Sequence, residues 1–274
     1  MTEVERMLPL YEGKMIDSYD HRDADIVRVR STGARQNQPR YLTEAEHENV
    51  NREPIPASWV REELIPPGVD SPLFGFLDIT SPTNERTIRA AALPKSGVGH
   101  VVPLWFGCRP FAMLALMNSF VCDFVARQKV AGLHLTYTYL KQIPFPAPTS
   151  LCPTAWTLGA SASSWLERRA EYLSRTSESL RCGDGGGIYP WDAPKRERVL
   201  VEIDAGAFHL YGVTRDEADY ILDSFTTVKR KDIAAHGEYR TKRLILETYD
   251  AMTQAIETGV PYDSPFDDLL TEGS

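Results

Sequence analysis

Asp17, Asp20, His21, Asp23 and Asp25 stand close together near the start of the chain. Carboxylates and an imidazole are divalent-cation ligands, and a metal-dependent nuclease needs such carboxylates with a lysine converging on Mg²⁺. One reading is therefore a cryptic metal-dependent nuclease. The competing reading is an Asp-rich turn with His21 and Arg22 directed at a polar partner. Gly97-Val98-Gly99 is a GxG that would let backbone approach a cofactor, but no parallel-strand pattern precedes it and no acidic ribose partner follows at the usual distance. Asn37-Gln38-Pro39-Arg40 begins like a loop that holds a flipped base amine, yet Gln38 and Arg40 replace its second proline and its aromatic. A solvated loop is expected there. Cys108, Cys122, Cys152 and Cys182 form no CxxC pair, which argues against zinc and against a disulfide framework. No Ser-His-Asp or Cys-His arrangement stands out. A chain without catalytic residues, metal or cofactor of its own is expected, in a reducing cytoplasm.

The formal charge is −8 over 274 residues, which by itself opposes nucleic-acid binding. The cations are unevenly spread. Residues 26–40 hold Arg28, Arg30, Arg35 and Arg40 without an acid, residues 84–141 are basic, and a third basic run spans 228–243. Each run is either a phosphate-tracking surface or a solvated face. Trp105, Phe106, Phe111, Phe120 and Phe124 are stacking platforms or, in view of their apolar neighbours, core.

These residues need elements to hold them. The alternation in 26–30, 74–80, 87–94, 100–106 and 133–140 predicts extended segments, with Pro103 marking an edge. Helical spacing predicts one helix over 111–128. Prolines crowd 143–153 and predict a connector between two domains, 1–148 and 149–274. The second is read as helical: a helix from Ser164 to about Leu180, another over about 196–211, a capping box at Thr214 and Glu217, and a last helix over about 239–257. The fold class expected is α+β. No apolar run is long enough for a membrane span, and the opening residues MTEVERMLPLYEGK are not those of a secretory signal.

Several blocks carry a resemblance. LPLYEGKMIDSYDHRDA (8–24), FGFLDITSPTNERTIRAAALPKSGVGHVVPL (74–104), ALMNSFVCDFVARQKVAGLHLTYTYLKQIPFPAP (115–148) and the segment 208–252 resemble the target-recognition region of large adenine-specific DNA methyltransferases. Such enzymes occur in type II restriction-modification and DISARM-like phage-defence systems. The third block is also similar to type I restriction specificity subunits. The resemblance implies a mixed β target-recognition domain followed by a mainly helical region, double-stranded DNA as ligand, and a methyltransferase catalytic domain or subunit, outside this chain, that binds S-adenosylmethionine. It suggests His21, Arg22, Arg28, Arg30, Arg35, Asn84, Arg86, Arg89, Lys95, His100, Arg127, Lys129, His134 and Thr136 as DNA-contacting candidates, since Arg suits guanine, Asn suits adenine and long cations reach phosphates. A scaffold protein of a phage-defence complex is the other non-catalytic reading.

Overall fold

The computed structural model describes residues 5–29, 37–107, 109–130, 132–147, 155–157, 160–181, 187–264 and 266–267. The chain is α+β, and it forms two compact units that interleave along the sequence. The first gathers 1–79, 88–110 and 171–191; the second gathers 80–87, 111–170 and 192–274. The units thus do not follow the consecutive division 1–148 and 149–274: residues 111–147 group with the C-terminal helices. The helix over 120–129 packs on the helices over 193–210 and 215–223, which groups this stretch with the C-terminal half.

Among the described residues, all the strands lie in the first unit. β1 (Met7–Tyr11) pairs antiparallel with β4 (Trp59–Arg61) and parallel with β7 (Gly97–Val98). β2 (Ala24–Arg28) and β3 (Asn37–Tyr41) form a two-stranded antiparallel ribbon. β5 (Leu73–Phe76) is the middle strand between β6 (Ala90–Leu93) and β8 (Leu104–Trp105). The short helix α1 (Glu44–Glu48) opens on a Thr43–Glu46 capping box. Tyr11, Met15, Ile16, Ile26, Leu73, Leu77, Ala91, Leu93 and Val102 bury one another as the core of this unit, each large side chain contributing about 1.5–3 kcal/mol. Gly97 belongs to that packing and not to a cofactor turn. A Cβ there would lie 2.8 Å from Val60 Cγ1 and 3.1 Å from Leu10 Cδ1.

The second unit is helical, with α2 (Pro110–Met117), α3 (Phe120–Lys129), α4 (Tyr137–Leu140), α5 (Ala162–Ser174, which runs on into the first unit), α6 (Ala193–Leu210), α7 (Arg215–Asp223), α8 (Thr226–His236) and α9 (Arg240–Thr258). Asp192 caps α6, and the Thr214–Glu217 box opens α7 as its sequence predicts. Gly237 and Gly259, both with positive φ, end α8 and α9. Trp156, Trp165, Phe208 and Met252 are fully buried here. Gly206 of α6 lets the two indoles approach, with its missing Cβ 3.2 Å from Trp165 and 3.4 Å from Trp156.

Three local expectations change. The single helix over 111–128 is broken at Asn118 and Ser119, where the Ser119 hydroxyl caps α3 by accepting from the Cys122 N–H, and α2 and α3 diverge by 67°. The alternating segment 133–140 ends in the helical turn α4 and forms no ladder, because its buried residues are only Leu135 and Leu140. The helix expected to start at Ser164 is capped one turn earlier, by Ser161 accepting from the Ser164 N–H at 3.1 Å. Among the described residues no single helix is long and apolar enough to cross a membrane.

Candidate nucleic-acid interface

In the second unit the loop 81–86 is held from beneath. Thr80 Oγ1 donates to the Thr87 carbonyl at 2.6 Å, and the Asn84 N–H closes a turn onto the Ser81 carbonyl at 3.0 Å. The Thr87 N–H donates to both carboxylate oxygens of Asp123, at 2.9 and 3.1 Å. Asp123 is fully buried in the first turn of α3, where the helix dipole favours an anion. Two guanidiniums complete the clamp. Arg86 lies 4.0 Å over the Phe120 ring, donates to the Asn118 carbonyl and stands 3.4 Å from Asp123. Arg127 lies 3.9 Å over Phe225 and donates to the carbonyls of Asn84 and Glu85, both at 2.8 Å. Burial lowers the Arg127 pKa against the opposing pull of Asp123.

Arg86 and Arg127, expected to touch DNA, are therefore the supports of the loop. What the loop presents is Thr83 and Asn84, both exposed. The Thr80 N–H donates to the Leu133 carbonyl at 2.9 Å, which joins the base of the loop to the segment carrying the exposed His134 and Thr136. Lys129 is half-buried at the end of α3. Asn84 thus sits exposed on a loop whose backbone is hydrogen-bonded at both ends, while His134 and Thr136 are exposed on the segment that follows Leu133. Asp123, which organises this, escaped sequence reading. Its signal was an acid in the first turn of a helix starting at Ser119, and that start was hidden inside one apolar run.

In the first unit the N-terminal candidates separate into buried and exposed sets. Arg22 is fully buried, and its guanidinium donates to four backbone carbonyls, those of Asn49, Arg52, His47 and Thr176. His21 is equally sealed. Its Nε2 stands 3.0 Å from Ser177 Oγ and 3.5 Å from Glu53. Serine and carboxylate crowd the same nitrogen and Nδ1 has no partner, so this is no nucleophile–base relay. Burial would raise the Glu53 pKa, but hydrogen bonds from His21, Ser177 and Ser179 hold it below its ordinary value. Neither His21 nor Arg22 can reach DNA from these positions. Lys95 pairs with Glu62 at 3.0 Å, and Arg89 lies 4.0 Å from Asp17. His100 and Arg28 are exposed. Arg30 and Arg35 lie outside the described residues.

Asp17, Asp20 and Asp23 stay near enough to repel one another, but Asp20 and Asp25 each take a cationic or ring partner. Asp20 meets His47 at 2.9 Å, while Asp25 takes Arg40, Arg52 and the Ile55 N–H. Among the described residues no group of three or more His, Cys, Asp or Glu is placed to hold a metal ion. Asn37-Gln38-Pro39-Arg40 is strand β3, not a loop. The basic run 228–243 is largely paired: Lys229 with Asp223, Lys231 with Glu85, Arg240 with Glu197, Lys242 with Asp219 and Asp223, and Arg243 with Glu238 and Glu247. Of the aromatics, Phe111 and Phe120 are buried and Trp105 is tilted 5.6 Å from Phe74, whereas Phe106 is exposed.

In comparisons with known proteins, no family model, no curated protein and no solved structure matches this chain.

Proposed function

We propose that the chain is a sequence-specific duplex DNA recognition module of an adenine-specific DNA methyltransferase or restriction-modification system. On this reading it fixes the sequence register, while a separate catalytic domain or subunit binds S-adenosylmethionine, flips the adenine and transfers the methyl group. The observation that carries the proposal is the clamped loop 81–86. Four side chains, Thr80, Arg86, Asp123 and Arg127, immobilise its backbone, while Thr83 and Asn84 are left facing solvent. Hydrogen-bonding side chains on a pre-ordered backbone suit base edges, because little conformational entropy is lost on binding. The resemblance of residues 7–252 to target-recognition regions points the same way.

The phosphate part of such binding is modest, since the cations of 228–243 are mostly neutralised by neighbouring acids. That same pairing favours the second reading, a scaffold of a defence complex that does not read DNA. A binding selection on randomised duplexes at low and moderate salt separates them. Enrichment of a motif of several base pairs is expected. Salt-sensitive binding without a motif would move the reading power to the catalytic partner. No binding, either alone or with a methyltransferase domain of this family, would leave the scaffold.

A further inference from the structure

The pairing of β2 with β3 sets Asp25 opposite Arg40, Ile26 opposite Pro39, Val27 opposite Gln38 and Arg28 opposite Asn37. Directly paired residues of an antiparallel ladder share a face, and successive pairs alternate between faces. Arg28 and Asn37 therefore stand side by side on one face at the outer end of the ribbon, and Val27 and Gln38 on the other.

The root of the ribbon is locked. The buried Asp25 carboxylate accepts from Arg40, from Arg52 at 2.6 Å and from the Ile55 N–H at 2.8 Å. Burial would raise its pKa, but the bonds from Arg52, Ile55 and Arg40 hold it below the ordinary carboxylate value. The Ile26 N–H donates to the Ile55 carbonyl at 2.8 Å, and the Leu42 N–H to the Asp23 carbonyl at 3.0 Å. Past Ile26 the burial ends abruptly. Ile26 is 5% exposed, whereas Val27 and Val29 are each 38% exposed and Arg28 between them is exposed too. Consecutive residues point to opposite faces, so both faces of β2 are open from Val27 onward. Lys14 Nζ donates to the Asn37 carbonyl at 2.6 Å and steadies the backbone of β3 there. Among the described residues the side chains of Arg28 and Asn37 have no hydrogen-bond or ionic partner.

We propose that the β2–β3 ribbon enters the DNA major groove and reads sequence through Arg28 and Asn37. The inference rests on the DNA-recognition reading above. A major groove about 12 Å wide admits a two-stranded ribbon, and strands about 4.8 Å apart fit within it. The Arg28 guanidinium forks onto O6 and N7 of a guanine. The Asn37 amide donates to N7 and accepts from the N6 amine of an adenine. Cross-strand neighbours are about 5 Å apart at their Cα atoms, which suits contacts to adjoining base pairs. A rigid root is what such a reader needs, because a lateral error of an ångström breaks a bidentate contact.

The test uses the full chain and its enriched duplex, with R28A, R28K and N37A compared by selection and by fluorescence anisotropy. R28A is expected to lose the preference for guanine at one position and to bind the enriched duplex about 10-fold more weakly. R28K is expected to recover affinity for all duplexes but not the guanine preference, because an ammonium supplies charge without the fork. N37A is expected to relax the preference for adenine at an adjoining position. All three melting temperatures should match the parent closely, since Arg28 is exposed, Asn37 is only half-buried, and neither side chain has a partner among the described residues. Unchanged motifs in the variants, with DNA binding intact, would overturn the ribbon assignment and leave the recognition reading standing. An intact motif in R28A with uniformly weaker binding, restored in R28K, would make Arg28 a phosphate contact and also overturn base reading. A parent chain that enriches no motif removes the recognition reading itself.

Discussion

Replacing Arg22 by methionine is expected to cost about 3–5 kcal/mol of stability and to leave any DNA contact unaltered in kind. The magnitude comes from what the guanidinium touches. Nη1 donates to the carbonyls of Asn49 and Arg52, both at 3.0 Å, and Nη2 to those of His47 at 2.8 Å and Thr176 at 3.1 Å. A hydrogen bond from a charged donor is worth about 1.5–3 kcal/mol net. Four of them would sum to about 6–12 kcal/mol, but burying the cation costs several kcal/mol and the freed carbonyls partly re-pair, which brings the expectation down to the stated range. Burial lowers the Arg22 pKa, while Asp20 and Glu53 pull the other way. Those two carboxylates lose a favourable neighbour in the variant, which adds to the loss. The same four bonds tie residues 47–52 to residue 176, far apart in sequence, so the damage should be cooperative. The assay is urea denaturation followed by tryptophan fluorescence, with R22K beside it. Lysine should not rescue, because one ammonium cannot span four acceptors. A loss under about 1 kcal/mol would refute the reasoning. So would a variant of parental stability with weakened DNA affinity, which would return Arg22 to the DNA-contacting role that the resemblance suggests.

Two further outcomes are expected. Asp123→Ala leaves Arg86 and Arg127 without their shared carboxylate and the buried Thr87 N–H without an acceptor, at a cost of about 3 kcal/mol. Amide exchange at Thr87 should quicken sharply in that variant, and unchanged protection would refute the clamp. Burial, then the charges of Asp17 and Asp20, push the Asp23 carboxyl up to about 7. The unfolded chain releases this proton near pH 4 and the folded chain only near 7, so the stability present below about pH 4 is lost as pH rises to about 7. The urea midpoint should therefore fall between pH 5 and 7.5, and fall less in Asp23→Asn. An equal fall in both proteins would show that Asp23 does not titrate in that window.

Some of this molecule was legible in its sequence. Alternating residues near 26, 74 and 90 belong to strands β2, β5 and β6, the Thr214–Glu217 box opens α7, and the spacing over 239–257 belongs to α9. The α+β class follows from the same patterns. These signals are local: a cap is made within four residues, and a strand or helix face within ten. The break at Ser119 was hidden because α2 and α3 are both apolar around it. The role of each cation could not be read locally at all. Arg22, Arg86 and Arg28 are the same residue type in similarly polar stretches. Tertiary structure makes the first a buried strut for carbonyls from 47 to 176, the second a loop anchor over Phe120, and leaves the third exposed at a ribbon end. Burial and partner choice depend on groups brought together from distant positions, and a guanidinium bonds whichever acceptors the fold delivers to it.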